Sequence, residues 1–179
     1  MTHEMLFAGF GGQGVLLAGQ LMTYAGMIAG KQISWMPAYG PEMRGGTASC
    51  SVIVSEKLIG SPVVTKPNVL VAFNKPSLER FIGTVKPGGV VIVNNSLCDE
   101  PVNRQDVQIF PVPLNDIAAD MGSTRSLNMI ALGAVIAATK AVPLTAVEQA
   151  FLKRFGNKPG VVEANMQAVQ AGIDCVTSK

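Results

Sequence analysis

Histidine, cysteine and charge are scarce in this chain of 179 residues. His3 is the only histidine and lies near the amino terminus, so there is no second imidazole for a metal site and no well-placed imidazole base. Cys50, Cys98 and Cys175 are odd in number and far apart, which argues against a disulfide framework and against a zinc or iron–sulfur site. A chain this poor in catalytic groups is not expected to carry out chemistry alone.

Long apolar runs and a strong net charge are also missing. The apolar stretches Val69–Phe73 and Val90–Val93 have strand length and are too short to span a bilayer. The first residues lack the charged-then-apolar layout of a signal peptide, so a cytoplasmic location is expected. The net charge of +2 is too small to indicate a nucleic-acid partner. We therefore expect neither nucleic acid nor a membrane among the partners.

The apolar fraction of the chain is high for its charged fraction. Hydrophobic residues make up 48% of the chain and charged residues 15%, whereas typical soluble domains are about 25% charged. This balance predicts a large core together with surface that is hidden against other polypeptides, and the C-terminal helices are candidates for that surface. In isolation the chain is expected to self-associate through the same surface, as a homodimer.

Strand-like and helix-like segments alternate along the chain until helices take over in its last third. This order predicts an α/β fold in one domain over residues 1–179, a mostly parallel Rossmann-like sheet with flanking helices and a helical C-terminal third. The predicted strands are Met5–Ala8, Lys31–Met36, Thr47–Val54, a short hairpin strand at Leu58–Ile59, Asn68–Phe73, Val90–Val93 and an edge strand at Val107–Val112. The predicted helices are Gly12–Ile28, Ser77–Val85, Leu114–Asp120, Leu127–Lys140, Leu144–Phe155 and Val161–Val176.

A glycine-rich turn separates the first predicted strand from the first predicted helix. Gly9, Gly11 and Gly14 form a GxGxxG motif, which in this context is typical of phosphate binding at a helix N-terminus. Nicotinamide-binding folds also need an acidic residue about 20 residues further on, but here that region reads Ile33–Met36 and the next carboxylate is Glu42. A stand-alone NAD(P)- or flavin-binding oxidoreductase is therefore the alternative function. The alternative role of these glycines is to permit close packing of strand and helix.

A second unusual loop runs from Pro37 to Thr47 and contains two prolines and three glycines. Tyr39, Glu42 and Arg44 give it an aromatic ring, a carboxylate and a guanidinium within six positions. At the carboxyl edge of a parallel sheet it would lie beside the first loop, where open α/β sheets bind ligands. Arg44 would then face an anionic group or a partner carboxylate, whereas the alternative is a surface loop with a local Glu42–Arg44 pair.

Together the two loops resemble one protein family. GFGGQGVLLAGQLM (Gly9–Met22) and WMPAYGPEMRGGTASCSVIVS (Trp35–Ser55) are similar to the gamma subunit of 2-oxoacid:ferredoxin oxidoreductases, which corresponds to one domain of the fused pyruvate:ferredoxin enzymes. The likeness extends over essentially the whole chain. The loop Ala38–Ala48 is more similar to 2-oxoglutarate-type subunits than to pyruvate-type or indolepyruvate-type subunits.

The resemblance implies a role inside a complex. In the family, thiamine diphosphate and the iron–sulfur clusters belong to other subunits, which oxidatively decarboxylate a 2-oxoacid to an acyl-CoA and reduce ferredoxin. By this likeness the chain is a non-catalytic gamma subunit that holds no cofactor or metal alone and helps to enclose the active centre. Its implied partners are alpha and beta subunits, with a delta subunit as a further candidate, and ferredoxin through the complex. Coenzyme A, the co-substrate, is a candidate ligand.

The candidate site residues, carried over by position, come from both loops. A multiply anionic ligand would suit a helix N-terminus and a few cations, for which Arg44, Lys66 and Lys75 are candidates. Gln13 is included because its amide can reach a ligand or the backbone. The same features would suit a regulatory module that binds an adenine nucleotide or coenzyme A. The full set is Gly9, Gly11, Gly12, Gln13, Gly14, Tyr39, Gly40, Pro41, Glu42, Arg44, Gly45 and Gly46.

Overall fold

The computed structural model describes residues 1–40 and 46–178. The strands are β1 (Thr2–Phe10), β2 (Gln32–Tyr39), β3 (Thr47–Ser55), β4 (Val69–Ala72), β5 (Val90–Asn94) and β6 (Gln108–Val112). The α-helices are α1 (Val15–Ile28), α2 (Lys75–Phe81), α3 (Leu114–Asp120), α4 (Leu127–Thr139), α5 (Leu144–Phe155) and α6 (Val161–Thr177). In this part of the chain no helix combines the length and the apolar character that crossing a membrane requires.

The strands form one sheet in the order β2-β3-β1-β4-β5-β6. The neighbours β1, β4, β5 and β6 pair in parallel, whereas β3 runs antiparallel to both β1 and β2. All strands of this sheet except β3 therefore point the same way. The predicted mostly parallel α/β fold with a helical C-terminal third is confirmed, and so is the edge position of the last strand.

The prediction of a hairpin strand at Leu58–Ile59 is wrong. Residues 56–68 form an irregular connection between β3 and β4, and Leu58 is 88% exposed. Because β3 already pairs with β1 on one side and β2 on the other, a returning strand would find no free edge there. The first helix also begins later than predicted, at Val15, because Gly12 and Gly14 have positive φ angles of 99° and 75° that end the glycine turn.

The two faces of the sheet are covered unequally. On one face, α1, α3, α4, α5 and α6 enclose the main core, in which Phe7 and Phe151 are fully buried. On the other face, α2 and the segment before β6 cover a smaller cluster that includes Leu6 and Leu78. Burial of apolar surface in the main core supplies most of the stabilisation, at about 25 cal/mol per Å². The thin cover of the second face leaves part of the sheet accessible.

Candidate functional site

The two glycine-rich loops are neighbours at the carboxyl edge of the sheet. In the register of β1 and β3, Phe10 lies opposite Thr47, and the N–H of Gly11 donates to the carbonyl of Gly46 at 2.9 Å. The N–H of Gly40 donates to the carbonyl of Thr47 at 2.8 Å, which closes the ends of β2 and β3 against each other. We call Tyr39, Gly40, Gly46 and Thr47 the hairpin tip. The first loop and the hairpin tip thus form one continuous surface.

Two glycines of the first loop are required by packing. A β-carbon on Gly9 would lie 2.8 Å from the β-carbon of Phe73, at the end of β4. One on Gly14 would lie 2.5 Å from the side-chain nitrogen of Asn128, a buried residue in the first turn of α4. A larger residue at Gly9 would have to displace Phe73, and one at Gly14 would have to displace the Asn128 side chain and adopt a positive φ of 75°. The packing alternative therefore accounts for Gly9 and Gly14.

Gly11 and Gly12 of the first loop lie beside the start of α1, and Gly12 is exposed. An added β-carbon on Gly12 would have nothing within 4 Å, so this glycine is favoured by its backbone conformation alone. The helical ladder begins with the N–H of Ala18 donating to the carbonyl of Gly14 at 3.0 Å, and no side chain of the described residues caps the helix. The N–H groups of residues 15–17 therefore lack partners within the helix, which is the usual basis of anion binding at a helix start.

Gln13 joins the first loop to the elements beside it. Its side-chain oxygen accepts from the N–H of Phe10 at 2.7 Å and from the side-chain amide of Asn74 at 2.9 Å. Its amide nitrogen donates to the carbonyl of Phe73 at 3.3 Å. Asn74 in turn caps α2 by accepting the N–H of Ser77 at 2.9 Å. The side chain thus reaches the backbone and fixes the shape of the loop from inside the fold.

Gln13→Ala is expected to lower the free energy of unfolding by about 2 kcal/mol, because it leaves the Phe10 N–H and the Asn74 side-chain amide without their partner. Urea unfolding followed by circular dichroism measures the change. Gln20→Ala is the matched control, since Gln20 lies on α1 and its side chain forms one hydrogen bond within the described residues, to the Tyr24 hydroxyl at 3.5 Å. Equal midpoints for the two variants would show that Gln13 does not hold the loop.

Two clefts open on either side of the hairpin tip. The cleft on the α1 side has a volume of about 330 Å³ and is lined by Gly11, Gly12 and the first turn of α1. The cleft on the α2 side has a volume of about 230 Å³ and is lined by Ser49, Ser77 and Arg80. The hairpin tip contributes to both, and its Tyr39 is 70% exposed. A ring, hydroxyl groups, backbone N–H groups and one guanidinium thus surround the tip.

The cations are placed differently from the sequence prediction. Lys75 lines a separate cleft and pairs with Glu100 at 2.6 Å, and this hydrogen bond raises the pKa of Lys75. Lys66 is exposed in the connection before β4, at the opposite edge of the sheet. Arg80 is the described cation at the hairpin tip, where it forms no ion pair with the described residues and lies 5.1 Å from the Phe81 ring centroid. The sequence around Arg80 contains no motif that predicts its position beside the hairpin tip.

Part of the predicted site cannot be placed. Pro41, Glu42, Arg44 and Gly45 lie outside the described residues, so their roles stay predictions. Within residues 1–40 and 46–178, no group of three or more histidine, cysteine, aspartate or glutamate side chains is arranged to hold a metal ion. Burial raises the pKa of the Cys50 thiol to about 12, so this side chain stays protonated and unreactive at neutral pH.

The strand order argues against nicotinamide binding at the first loop. In a dinucleotide fold the strand after the first helix lies beside the first strand, and its acidic end residue binds the ribose. Here the antiparallel β3 lies between β1 and β2, so the end of β2 is one strand further away. Tyr39, not a carboxylate, ends β2. Titration with NADH, NADPH and FAD is therefore expected to show no micromolar binding.

These features define a Rossmann-like domain with two clefts at the carboxyl edge of its sheet, where open α/β sheets bind ligands. The chain belongs to the pyruvate ferredoxin/flavodoxin oxidoreductase family, whose model matches residues 4–175. The resemblance to gamma subunits is confirmed by a curated relative and by a solved gamma subunit. This chain matches each of them over nearly its full length.

The relatives differ in length and in substrate. The 2-oxoglutarate synthase subunit KorC of Methanothermobacter marburgensis is 34% identical over 183 residues, which cover 98% of this chain and 97% of KorC. The ketoisovalerate oxidoreductase subunit VorA of the same organism is 39% identical over 172 residues, or 93% of this chain. Those residues are only 35% of VorA, so the chain spans about a third of that relative.

Two solved structures share the fold. The gamma subunit of a keto/oxoacid ferredoxin oxidoreductase from Geobacter sulfurreducens matches with a TM-score of 0.85 and 31% identity over 99% of both chains. The 2-oxoglutarate:ferredoxin oxidoreductase of Magnetococcus marinus, solved with 2-oxoglutarate, coenzyme A and succinyl-CoA bound, matches with a TM-score of 0.92 and 26% identity. The match covers 99% of this chain and 31% of the Magnetococcus chain.

Proposed function

We propose that this gamma-type subunit works in a cytoplasmic complex that oxidatively decarboxylates a 2-oxoacid to an acyl-CoA and reduces ferredoxin. In the complex it is non-catalytic, and alpha and beta subunits, with a delta subunit as a further candidate, hold thiamine diphosphate and the iron–sulfur clusters. The observation that carries this proposal is the joined surface of the first loop and the hairpin tip, where Gly11 bonds to Gly46. That surface offers backbone, hydroxyl and guanidinium groups for binding, while the acid, base and metal chemistry is left to other polypeptides.

The proposed substrate is 2-oxoglutarate. Two observations support it: the loop Ala38–Ala48 resembles that of 2-oxoglutarate-type subunits, and KorC, a 2-oxoglutarate synthase subunit, matches over almost its full length. Ketoisovalerate is the second candidate because VorA has the higher identity, 39% against 34%. The complex purified through a tag on this chain and assayed with 2-oxoglutarate, ketoisovalerate and pyruvate distinguishes them. We expect the highest kcat/KM with 2-oxoglutarate, and a preference for ketoisovalerate would refute this assignment.

The proposed co-substrate contact is with coenzyme A, at the hairpin tip. Coenzyme A carries several phosphate charges, which suit unpaired N–H groups at a helix start and a guanidinium. The N–H groups of residues 15–17 flank one cleft of the tip and Arg80 flanks the other. The exposed ring of Tyr39 lies between them and offers an apolar surface for stacking. Residues 41–45 complete this loop, and Arg44 stays the second candidate cation.

Arg80→Ala is expected to raise the apparent KM for coenzyme A about tenfold in the assembled complex, because one charge-assisted hydrogen bond to a phosphate is lost. Arg80→Lys is expected to restore part of the affinity, since a point charge remains without the planar fork. Lys57→Ala is the matched control, as Lys57 is an exposed cation at the opposite edge of the sheet. Wild-type KM for coenzyme A and normal assembly in Arg80→Ala would exclude this contact.

A further inference from the structure

One half of the sheet lacks a helix on the α2 side. The strand register places Met36, Ser51 and Leu6 in one row across β2, β3 and β1. Leu6 packs in the small cluster with Leu78 of α2, so this row faces the α2 side. α2 lies against β1 and β4, and in the described part of the chain no helix packs onto β2 and β3 from this side. An α/β sheet of this kind normally has both faces covered.

The uncovered residues are uncharged and mostly small. We call them the open patch; besides Thr47 of the hairpin tip they are Gln32, Ser34, Met36, Ala38, Ser49 and Ser51. Met36 is 38% exposed, Gln32 and Ala38 are exposed and the three serines are partly exposed. A sheet face in permanent contact with water usually carries charged or longer polar side chains, whereas the centres of protein interfaces are depleted of charge. The composition of the open patch is therefore that of a face covered by protein.

The edge of β2 is less suited to binding than its face. Pro37 lies within β2 and has no N–H group, so it interrupts the row of donors that an added strand would use. A partner is therefore expected to pack on the open patch instead of extending the sheet through β2.

We propose that the open patch is covered by the same partner subunit that encloses the hairpin tip, through an uncharged, apolar segment. This inference rests on the proposed function. The cleft on the α2 side is lined by Ala38 and Ser49 of the open patch and by Tyr39 and Gly40 of the tip, so the two surfaces are continuous. A subunit that closes over the tip therefore extends onto the patch.

The lengths of the relatives favour a different polypeptide over a second copy of this chain. In VorA the region matching this chain is 35% of one longer polypeptide, and in the Magnetococcus structure it is 31%. In those proteins such a region is covalently joined to further protein, which is therefore available to cover it. A face that is always covered can lose its charged residues without loss of solubility.

Thiol labelling tests the inference directly. In a Cys175→Ser background, where Cys50 and Cys98 are buried, Met36→Cys or the nearly isosteric Ser51→Cys introduces a reactive group on the open patch. Lys57→Cys, at an exposed position at the opposite edge of the sheet, is the control. Maleimide modification rates are measured for the isolated chain and for the complex purified through a tag on this chain. We expect the rates at both patch positions to fall about tenfold or more in the complex, since modification then requires opening of the interface. The rate at the control position should stay unchanged.

Each other outcome overturns the inference in a distinct way. Unchanged rates at the patch positions in a complex with 2-oxoacid-dependent activity would refute the covered patch and leave the proposed function intact. The maleimide modification rates could instead fall in the isolated chain as its concentration rises, while the chain elutes as a dimer in size-exclusion chromatography. That result would assign the patch to contact with a second copy of this chain. Absence of both partner subunits and activity from the purified material would refute the proposed function, and the inference with it.

Discussion

Gly172→Ala is expected to lower the free energy of unfolding by about 3 kcal/mol or more, and to prevent folding if the remaining stability is smaller than that. Gly172 of α6 lies where α6 crosses α4, and a β-carbon there would overlap the carbonyl oxygen of Ile130. Gly133 of α4 is the reciprocal position, since its β-carbon would overlap the carbonyl of Val169. The obstructing atoms belong to helix backbones and cannot rotate away.

The cost is large because the two helices would have to separate. α4 is buried from Leu127 to Ile136 and forms the centre of the main core, so its displacement would open cavities around it. In a helix without such a contact, replacing glycine by alanine stabilises the protein by about 1 kcal/mol. A loss of stability in Gly172→Ala would therefore report the close helix crossing and not helix propensity.

Gly60→Ala is the matched control for this crossing, since an added β-carbon at Gly60 meets nothing within 4 Å and its φ is not positive. Urea unfolding by circular dichroism gives both free energies. A Gly172→Ala protein as stable as the wild type would show that α4 and α6 do not approach this closely.

Asn94→Ala is the second large effect, with an expected loss of about 3 kcal/mol in the free energy of unfolding. Asn94 ends β5 and is fully buried. Its amide donates to the carbonyl of Phe73 at 2.9 Å and to the side-chain oxygen of Asn115 at 2.8 Å. Its oxygen accepts from the N–H of Leu114 at 3.1 Å. One side chain therefore joins the ends of β4 and β5 to the start of α3, directly behind the first loop.

The size of the effect follows from burial. Alanine would leave the Leu114 N–H and the Asn115 side-chain oxygen without this partner, whereas the Phe73 carbonyl keeps its bond from Gln13. Each unpaired group costs about 1–3 kcal/mol when water cannot reach it. Asn95→Ala is the control, because Asn95 is adjacent, exposed and expected to change stability by less than about 0.5 kcal/mol. If both variants unfold at the same urea concentration, Asn94 does not have this bridging role.

The order and type of the elements could be predicted because they depend on local patterns. Apolar runs of strand length and helical periodicity are properties of neighbouring residues, and they located every described strand and α-helix of the fold. The direction of β3 and the absence of a strand at Leu58–Ile59 could not be predicted in this way. Both depend on which edges are already paired, and the pairing of β3 with β1 joins residues distant in the sequence, such as Thr2 and Ser55.

The proximity of the two loops was predictable, whereas the roles of their residues stay predictions. The glycine motif and the proline-rich loop could be recognised because their backbone requirements are visible in the residue types. The packing of Gly9 on Phe73 and of Gly14 on Asn128 depends on contacts distant in the sequence. Arg80 entered the site for the same reason, since only the fold brings α2 beside the hairpin tip.

The measurement that tests the central claim most directly is an omission and add-back assay. Ferredoxin reduction that depends on 2-oxoglutarate and coenzyme A is measured for this chain alone, for the partner subunits alone and for the two combined. The account predicts no turnover by the chain alone, weak or no turnover by the partners, and full activity when both are mixed. Steady turnover by the purified chain alone would contradict it.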